Sequence, residues 1–159
     1  MDNKVTIIMG SEKDAEFCRE IAKHLKIYGI DYELRVASAH KTPQKVLEII
    51  KEHEEESTVY ITVAGKSNAL SAFVDANTTK PVIACPPYSE KYCGADIYSS
   101  LRVPGGIGTV VTIEPEGAAI ATAKIFALKD KKLTQHINQQ QMKIKKEIEK
   151  TDTIMKKTK

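Results

Sequence analysis

The sequence predicts an α/β protein in which one parallel sheet lies between two layers of helices, with a C-terminal helical tail. Two observations support this prediction. Short apolar runs of strand length alternate with longer segments whose apolar residues recur at helical spacing. Several of the short runs are apolar throughout, which is typical of strands covered on both faces of a parallel sheet. Alternation of strand and helix favours such a sheet with right-handed crossovers.

The first strand and helix are marked by their ends. Residues 4–10 predict a buried strand, and residues 11–29 predict a helix with one apolar face. Ser11 is expected to cap this helix, with Asp14 three residues on in the capping-box position. Gly29 is expected to end the helix.

A proline marks the second helix. Thr42 is expected to cap it and Pro43 to open it, because the fixed φ and missing N–H of proline are tolerated at the first helical position. The other predicted elements are strands at 31–39, 58–65, 80–87 and 108–113, a short helix at 68–77, a buried helix at 114–128, and the tail helix. Together these elements predict a flavodoxin-like three-layer sandwich.

Length and charge limit the domain organisation and the classes of partner. A chain of 159 residues predicts one domain, here 1–130, with 131–159 as a helical tail of the same domain. The first part holds 15 Lys and Arg against 18 Asp and Glu, whereas the tail holds 9 against 3. The body has no basic stripe with interleaved aromatics, so we expect no nucleic-acid partner.

The same reasoning argues against membrane and metal-dependent classes. No apolar run approaches the length of a membrane span, and the start lacks a secretory pattern, so we expect a cytoplasmic protein with no membrane partner. Cys18 and Cys85 are expected in the core and Cys93 in a loop, without disulfide or zinc spacing. Three of the four histidines, His24, His53 and His136, are expected to be solvated. No set of His, Asp or Glu has metal-ligand spacing, so no metal is expected.

Polar residues follow the predicted strands, where open parallel sheets bind their ligands. After the first strand, Gly10 permits close backbone approach, and the amides of Ser11 to Lys13 at a helix start suit an anion. Asp14 suits ribose hydroxyls. On this stretch alone, a plain capped helix is the favoured interpretation.

The cluster after the second strand combines two kinds of chemistry. Ser38 and Lys41 suit a phosphate, and His40 suits proton transfer near neutral pH. A loop histidine without a task is the weaker alternative. After the third strand, Gly65 and Lys66 with Ser67 and Asn68 suit a carboxylate or a polarised carbonyl. Helix capping by Ser67 or Asn68 explains that stretch equally well.

Five motifs in order resemble one family, that of phosphoribosylaminoimidazole carboxylase of purine biosynthesis. They are "MGSEKD", "ELRVASAHKTP", "VAGKSNALSAFVDANTTKPVIACPP", "SSLRVPGGIG" and "PEGAAIATAKIFAL". One family branch, similar to a mutase, has "SAHR" and a histidine in "AGGAAHL". The other has "SAHK", "AGRSNGL", "CPP" and "SSLR" and uses carbon dioxide directly. This chain is similar to the second branch, and it departs from the family's "GSxSD" at Lys13.

The resemblance implies a reversible carboxylation of aminoimidazole ribonucleotide by carbon dioxide, with no cofactor. It implies that His40 moves the proton on the reacting ring carbon. The implied phosphate and ribose contacts are Gly10, Ser11, Lys13, Asp14, Ser38, Ala39 and Lys41. The implied contacts to carbon dioxide and the new carboxylate are Gly65, Lys66, Ser67 and Asn68.

Two alternatives to this function stay open at this point. One is the mutase reaction, which moves a carboxyl group from the exocyclic nitrogen of N5-carboxyaminoimidazole ribonucleotide. The other is a noncatalytic flavodoxin-like module that binds a nucleotide or phosphate and has no use for His40. The resemblance also implies a homo-oligomer, octamer or tetramer, and the small-residue helix at 117–128 suits a tight subunit interface.

Overall fold

A computed structural model describes residues 4–55 and 57–157. It contains five strands and six α-helices among those residues. The strands are β1 Lys4–Met9, β2 Asp31–Val36, β3 Thr58–Val63, β4 Val82–Ala84 and β5 Val110–Val111. The helices are α1 Ala15–Ile27, α2 Pro43–Glu52, α3 Ala69–Asp75, α4 Tyr98–Leu101, α5 Pro115–Ala127 and α6 Lys131–Lys157.

The strands form one parallel sheet in the order β2-β1-β3-β4-β5. Helices cover both sides of it, so the predicted flavodoxin-like class is confirmed. The described residues group into two compact units, one up to Thr122 and one from Ala123 onwards. The sheet lies in the first unit. The predicted division at 130 and 131 stays a prediction.

The core of the first unit explains why these segments pack as they do. One cluster joins the sheet to α2 and α3, and its members are Ile8, Ala37, Val46, Ile49, Ile50, Tyr60, Leu70, Val74 and Val82. The Tyr60 hydroxyl is buried and donates to the Ile50 carbonyl at 3.3 Å. On α1, Cys18, Ile21 and Leu25 are fully buried at helical spacing, as the apolar face predicts.

The residues predicted to begin and end the first two helices do so in some cases and not in others. Gly29 has φ +65°, a left-handed conformation that suits glycine after a helix. Pro43 opens α2 as predicted. Thr42 precedes it, but its hydroxyl makes no cap; it accepts the Ser38 amide at 2.9 Å instead. Ser11 caps a 3-10 turn at Glu12–Asp14, and α1 begins only after that turn.

The expectation that His53 is solvated was wrong. His53 is 4% exposed, and its Nε2 lies 2.5 Å from Oε1 of Glu33 on β2. The charged residues of its own helix suggested a solvated face, but the partly buried carboxylate of Glu33 gives the buried imidazole a hydrogen-bond partner. His24 and His136 are half-buried. No helix of the described chain is both long and apolar enough to span a bilayer.

Candidate functional site

Three neighbouring strands end side by side, and this places three polar loops together. Met9 of β1 pairs in register with Val36 of β2 and with Val63 of β3. The segments that follow these strands therefore leave the sheet at one edge. We call them the first loop (10–14), the second loop (37–42) and the third loop (64–68). This is the edge where parallel sheets of this class bind ligands.

A cleft of about 450 Å³ lies at this edge. Ten of the twelve residues singled out in the sequence line it, together with Ala64. The lining residues are Gly10, Ser11, Lys13, Asp14, Ser38, His40, Lys41, Ala64, Gly65, Lys66 and Ser67. The three loops thus meet around one cavity, as the strand ends predict.

The first loop is held close to the third. The Gly10 amide donates to the Val63 carbonyl at 2.9 Å, and a Cβ on Gly10 would stand 3.4 Å from the Ala64 Cβ. That distance is an ordinary van der Waals contact, so the two loops lie side by side here. The Ser11 hydroxyl accepts the Lys13 amide at 3.3 Å, which caps the turn and orients the segment toward the cleft.

The second loop is a tight turn built on Ser38. Its carbonyl accepts the Thr42 amide at 2.8 Å, and its hydroxyl accepts the Lys41 amide at 3.3 Å. Since a hydroxyl carries one donor as well as acceptor lone pairs, the Ser38 proton can still be donated to a bound anion. His40 and Lys41 are exposed at the rim of the cleft, beside this donor.

Two residues singled out in the sequence do not line the cleft. Ala39 packs against the core cluster of α2 and α3, so it anchors the second loop. Asn68 is 3% exposed; its Oδ1 accepts the Ser71 amide at 3.3 Å and its Nδ2 donates to the Ser100 hydroxyl at 2.9 Å. Among the two interpretations of Asn68, the structure favours the helix cap.

Two backbone amides of the third loop already have partners within the protein. The Lys66 amide donates to Asp96 Oδ2, and the Asn68 amide to the Ser99 hydroxyl, each at 2.9 Å. These two amides are therefore not available to a ligand. Lys66 and Ser67 still line the cleft through an exposed ammonium and an exposed hydroxyl.

Positive charge dominates the lining of the cleft. Lys13, Lys41 and Lys66 face it, against the single carboxylate of Asp14. Within residues 4–55 and 57–157, none of these three lysines forms an ion pair within 4 Å. An electropositive cleft of this kind attracts a phosphate dianion.

The pKa of Asp14 is raised above the usual aspartate range because the carboxyl is partly buried, and the nearby Lys66 charge opposes this shift. A raised pKa in the folded state means that the charged form is disfavoured by folding. The carboxylate therefore costs stability at neutral pH. Below both the folded and the unfolded pKa, the group is neutral in both states and the cost disappears.

We predict that Asp14→Asn raises the melting temperature at pH 7, by a small amount because solvent screens the site. The gain should shrink as the pH falls through the raised pKa of Asp14. Thermal unfolding of the two proteins between pH 3 and pH 7 measures it. A variant that melts lower than the parent at pH 7 would contradict the assigned burial cost.

The buried cysteines have no place in the chemistry of the cleft. Burial raises the pKa of Cys18 to about 12 and that of Cys85 to about 11. Both are therefore neutral thiols at pH 7 and act as small core residues, as the sequence predicts. In the described part of the chain, no group of three or more His, Cys, Asp or Glu side chains could hold a metal ion.

A second hollow, of about 540 Å³, lies between α2 and the segment before β4. Its ionisable lining residues are Lys51, Glu54 and Lys80. It contains no histidine, and it lies beside the segment that enters a strand rather than one that leaves it. The smaller cleft is therefore the better candidate for a reaction site.

Sequence reasoning missed the support behind the third loop. Asp96, Ser99 and Ser100 bond to this loop from about 30 residues further along the chain. The motif "SSLR" was part of the family resemblance, but its pattern gives no indication that it bonds to this loop. No local pattern in Asp96 itself marks it as a partner of Lys66.

The comparisons with known proteins decide the family. The model of the family described as AIR carboxylase matches residues 4–147. This chain belongs to the AIR carboxylase family. It is therefore an enzyme of a family that acts in purine biosynthesis, and the resemblance drawn from the five motifs is confirmed.

Relatives of this family match most of the chain. A phosphoribosylaminoimidazole carboxylase of Archaeoglobus fulgidus is 57% identical, over 94% of this chain and 83% of that protein. The crystal structure of Treponema denticola PurE superimposes with a TM-score of 0.94 at 43% identity, over 97% of this chain and 99% of that one. The human bifunctional phosphoribosylaminoimidazole carboxylase/phosphoribosylaminoimidazole succinocarboxamide synthetase is 43% identical over 79% of this chain, which spans 30% of that protein.

Proposed function

We propose that this enzyme carboxylates 5-aminoimidazole ribonucleotide with dissolved carbon dioxide. The product is 4-carboxy-5-aminoimidazole ribonucleotide, and the reaction is reversible and independent of ATP. The observation that carries the proposal is the composition of the third loop at the cleft. It has Lys66-Ser67-Asn68-Ala69-Leu70 in the region where the mutase branch of the family has a histidine. Its Lys66 and Ser67 line the same cavity as His40 and Lys41.

The first and second loops bind the ribonucleotide. Its phosphate takes hydrogen bonds from Ser11 and Ser38 and charge from Lys41, with Lys13 as an added cation. Asp14 accepts the hydroxyls of the ribose. The lysines draw the dianion into the cleft, and the hydroxyls fix its position, so the ring lies between the second and third loops.

The third loop binds carbon dioxide beside the ring. The nucleophilic ring carbon attacks the carbon of carbon dioxide, one C–C bond forms, and an electron pair moves onto an oxygen of the new carboxylate. Lys66 stabilises this developing charge. The ring carbon now carries both the carboxylate and its proton.

His40 then completes the reaction. Its neutral imidazole takes the proton from the ring carbon, which restores the aromatic ring, and the imidazolium later loses that proton to solvent. In reverse, His40 delivers the proton and carbon dioxide leaves. The ring supplies the electrons and the protein supplies position and charge, so the steps need no cofactor.

The experiment that tests the proposal is incubation of the protein with aminoimidazole ribonucleotide and labelled bicarbonate, without ATP. Label should enter the product at a rate that rises with the concentration of dissolved carbon dioxide. No incorporation by folded protein that still binds the ribonucleotide would favour a noncatalytic binding module. The mutase reaction is the other candidate, since the family contains it.

We propose further that the enzyme acts as a homo-oligomer. Large apolar side chains are exposed at one end of the sheet and before α5, including Val110 at 51% and Ile113 at 61%. A second copy would cover such residues. We predict that light scattering on an active sample gives a multiple of 17.6 kDa, as for a tetramer or octamer. An active species of the monomer mass would contradict this.

A further inference from the structure

The backbone of Lys66 is held in an uncommon conformation at the edge of the cleft. Its φ is +61°, in the left-handed region that few residues other than glycine adopt. Such a conformation persists only where the surroundings determine it, and it is common at functional sites. The neighbouring groups that fix Lys66 therefore bear on where its ammonium points.

Asp96 is the group that holds the amide of Lys66. Its Oδ2 accepts the Lys66 N–H at 2.9 Å, a hydrogen bond to a charged acceptor. A Cβ built on Gly65 would lie 3.7 Å from the same oxygen, so the carboxylate lies against two successive residues of the loop. Asp96 does not line the cleft and is itself half-buried.

Ser99 holds the other side of the same peptide segment. Its hydroxyl oxygen accepts the Asn68 amide at 2.9 Å. The single hydroxyl proton has two carbonyl acceptors in reach, that of Lys66 at 3.0 Å and that of Asp96 at 2.8 Å. The hydroxyl of Ser100, a residue 1% exposed, accepts a hydrogen bond from Nδ2 of the buried Asn68. The amide of Lys66 is thus held by Asp96, and its carbonyl lies within hydrogen-bond distance of Ser99. Asn68, which caps α3, bonds to Ser99 and Ser100.

We propose that Asp96 is a positioning residue for the carboxylation, which acts by fixing the left-handed backbone of Lys66 and so aiming the Lys66 ammonium at the bound carbon dioxide. The inference rests on the proposed function, because that function gives Lys66 its task. Ser99 supports the same conformation from the carbonyl side. Neither residue touches the substrate, and both act through the third loop.

Asp96→Ala should therefore impair the use of carbon dioxide at the third loop and leave ribonucleotide binding unaffected. The lost hydrogen bond to a charged group should lower kcat/KM for carbon dioxide by roughly tenfold to a hundredfold. The Kd for the ribonucleotide should stay unchanged, because its phosphate is held by the first two loops. Asp96→Asn keeps an oxygen that can accept the Lys66 N–H, so this conservative variant should recover most of the loss.

Asp75→Ala is the matched control. Asp75 Oδ2 also accepts a backbone amide across a loop, that of Gly108 at 2.8 Å, but neither residue lines the cleft. This variant should leave kcat/KM for carbon dioxide near the parent value. If it lowers that constant as much as Asp96→Ala does, loss of any loop-bracing carboxylate explains the effect and the proposal is overturned.

Amide exchange gives a readout that does not depend on turnover. In the protein without substrate, the Lys66 amide should exchange faster in Asp96→Ala than in the parent, in Asp96→Asn or in Asp75→Ala. Core amides of β3 should be unchanged. If Asp96→Ala fails to fold, Ser99→Ala offers a second variant, for which we expect the same selective loss toward carbon dioxide.

The outcomes separate this inference from the proposed function. Each variant is assayed with the carboxyl source that the parent enzyme uses. If the parent uses only the N-carboxylated compound, the proposed function fails, and the ratio of Asp96→Ala to parent still tests Asp96. Unchanged Lys66 exchange, or an Asp96→Asn variant as impaired as Asp96→Ala, would overturn the positioning role whichever source is used.

Discussion

His40→Asn should abolish nearly all turnover in both directions while leaving the fold and ribonucleotide binding intact. Removing a positioned acid or base costs ~10²–10⁴-fold in rate. The change is close to isosteric, and His40 is exposed on a loop, so little core packing is lost. Carboxylation and decarboxylation rates, with calorimetry for ribonucleotide binding, measure the two effects separately.

His24→Asn is the control for this prediction. His24 lies half-buried on α1 and does not line the cleft. The His24→Asn variant should keep the turnover of the parent enzyme. A His40→Asn protein with near-normal turnover would remove His40 from proton transfer, and a large loss of ribonucleotide affinity would assign it to binding instead.

Lys41→Ala should act on the affinity for the ribonucleotide. A hydrogen bond to a charged group contributes ~1.5–3 kcal/mol, so the Kd should rise by roughly tenfold to a hundredfold. Because Lys41 interacts with the phosphate through its charge, the difference in Kd between the variant and the parent should become smaller as salt is added. Calorimetry at two ionic strengths measures both effects.

Lys45→Ala is the matched control for charge. Lys45 is an exposed lysine four residues further on, paired with Glu48 at 2.9 Å and absent from the cleft. Its loss should leave the Kd close to the parent value. If Lys41→Ala kept the parent affinity and altered only the response to carbon dioxide, Lys41 would belong to the third-loop half of the site.

Much of the fold was predictable because its signals are local. The period of apolar residues identifies α1 and α2, and Gly29 and Pro43 mark ends that depend on a single residue's φ. The strands were predicted to be longer than they are in the structure. The run at 80–87 contains only the three-residue β4, since prolines at positions 81, 86 and 87 lack the N–H that a strand ladder requires.

The position of the site, at the carboxyl ends of three parallel strands, was predictable from the sequence. The rule for parallel sheets brings together three loops that are far apart in the chain, and the register of β1, β2 and β3 realises it. Helix capping by Asn68 was one of two interpretations of the local sequence, and its bond to the Ser71 amide, three residues on, favours it. The bonds from this loop to Asp96 and Ser100 were not predictable, because each joins residues about 30 positions apart and no local pattern encodes such a contact.

The choice of carboxyl source tests the central claim most directly. Lys41 and Lys66 stand in the cleft where the mutase branch has an arginine and a histidine-bearing loop, and lysine does not reproduce arginine's bidentate fork. The measurement supplies aminoimidazole ribonucleotide with bicarbonate, and separately N5-carboxyaminoimidazole ribonucleotide in solution kept free of carbon dioxide. We predict turnover of the first that rises with dissolved carbon dioxide, and no direct use of the second. Efficient turnover of the N-carboxylated compound, with no response to bicarbonate, would contradict the account and place this enzyme in the mutase branch.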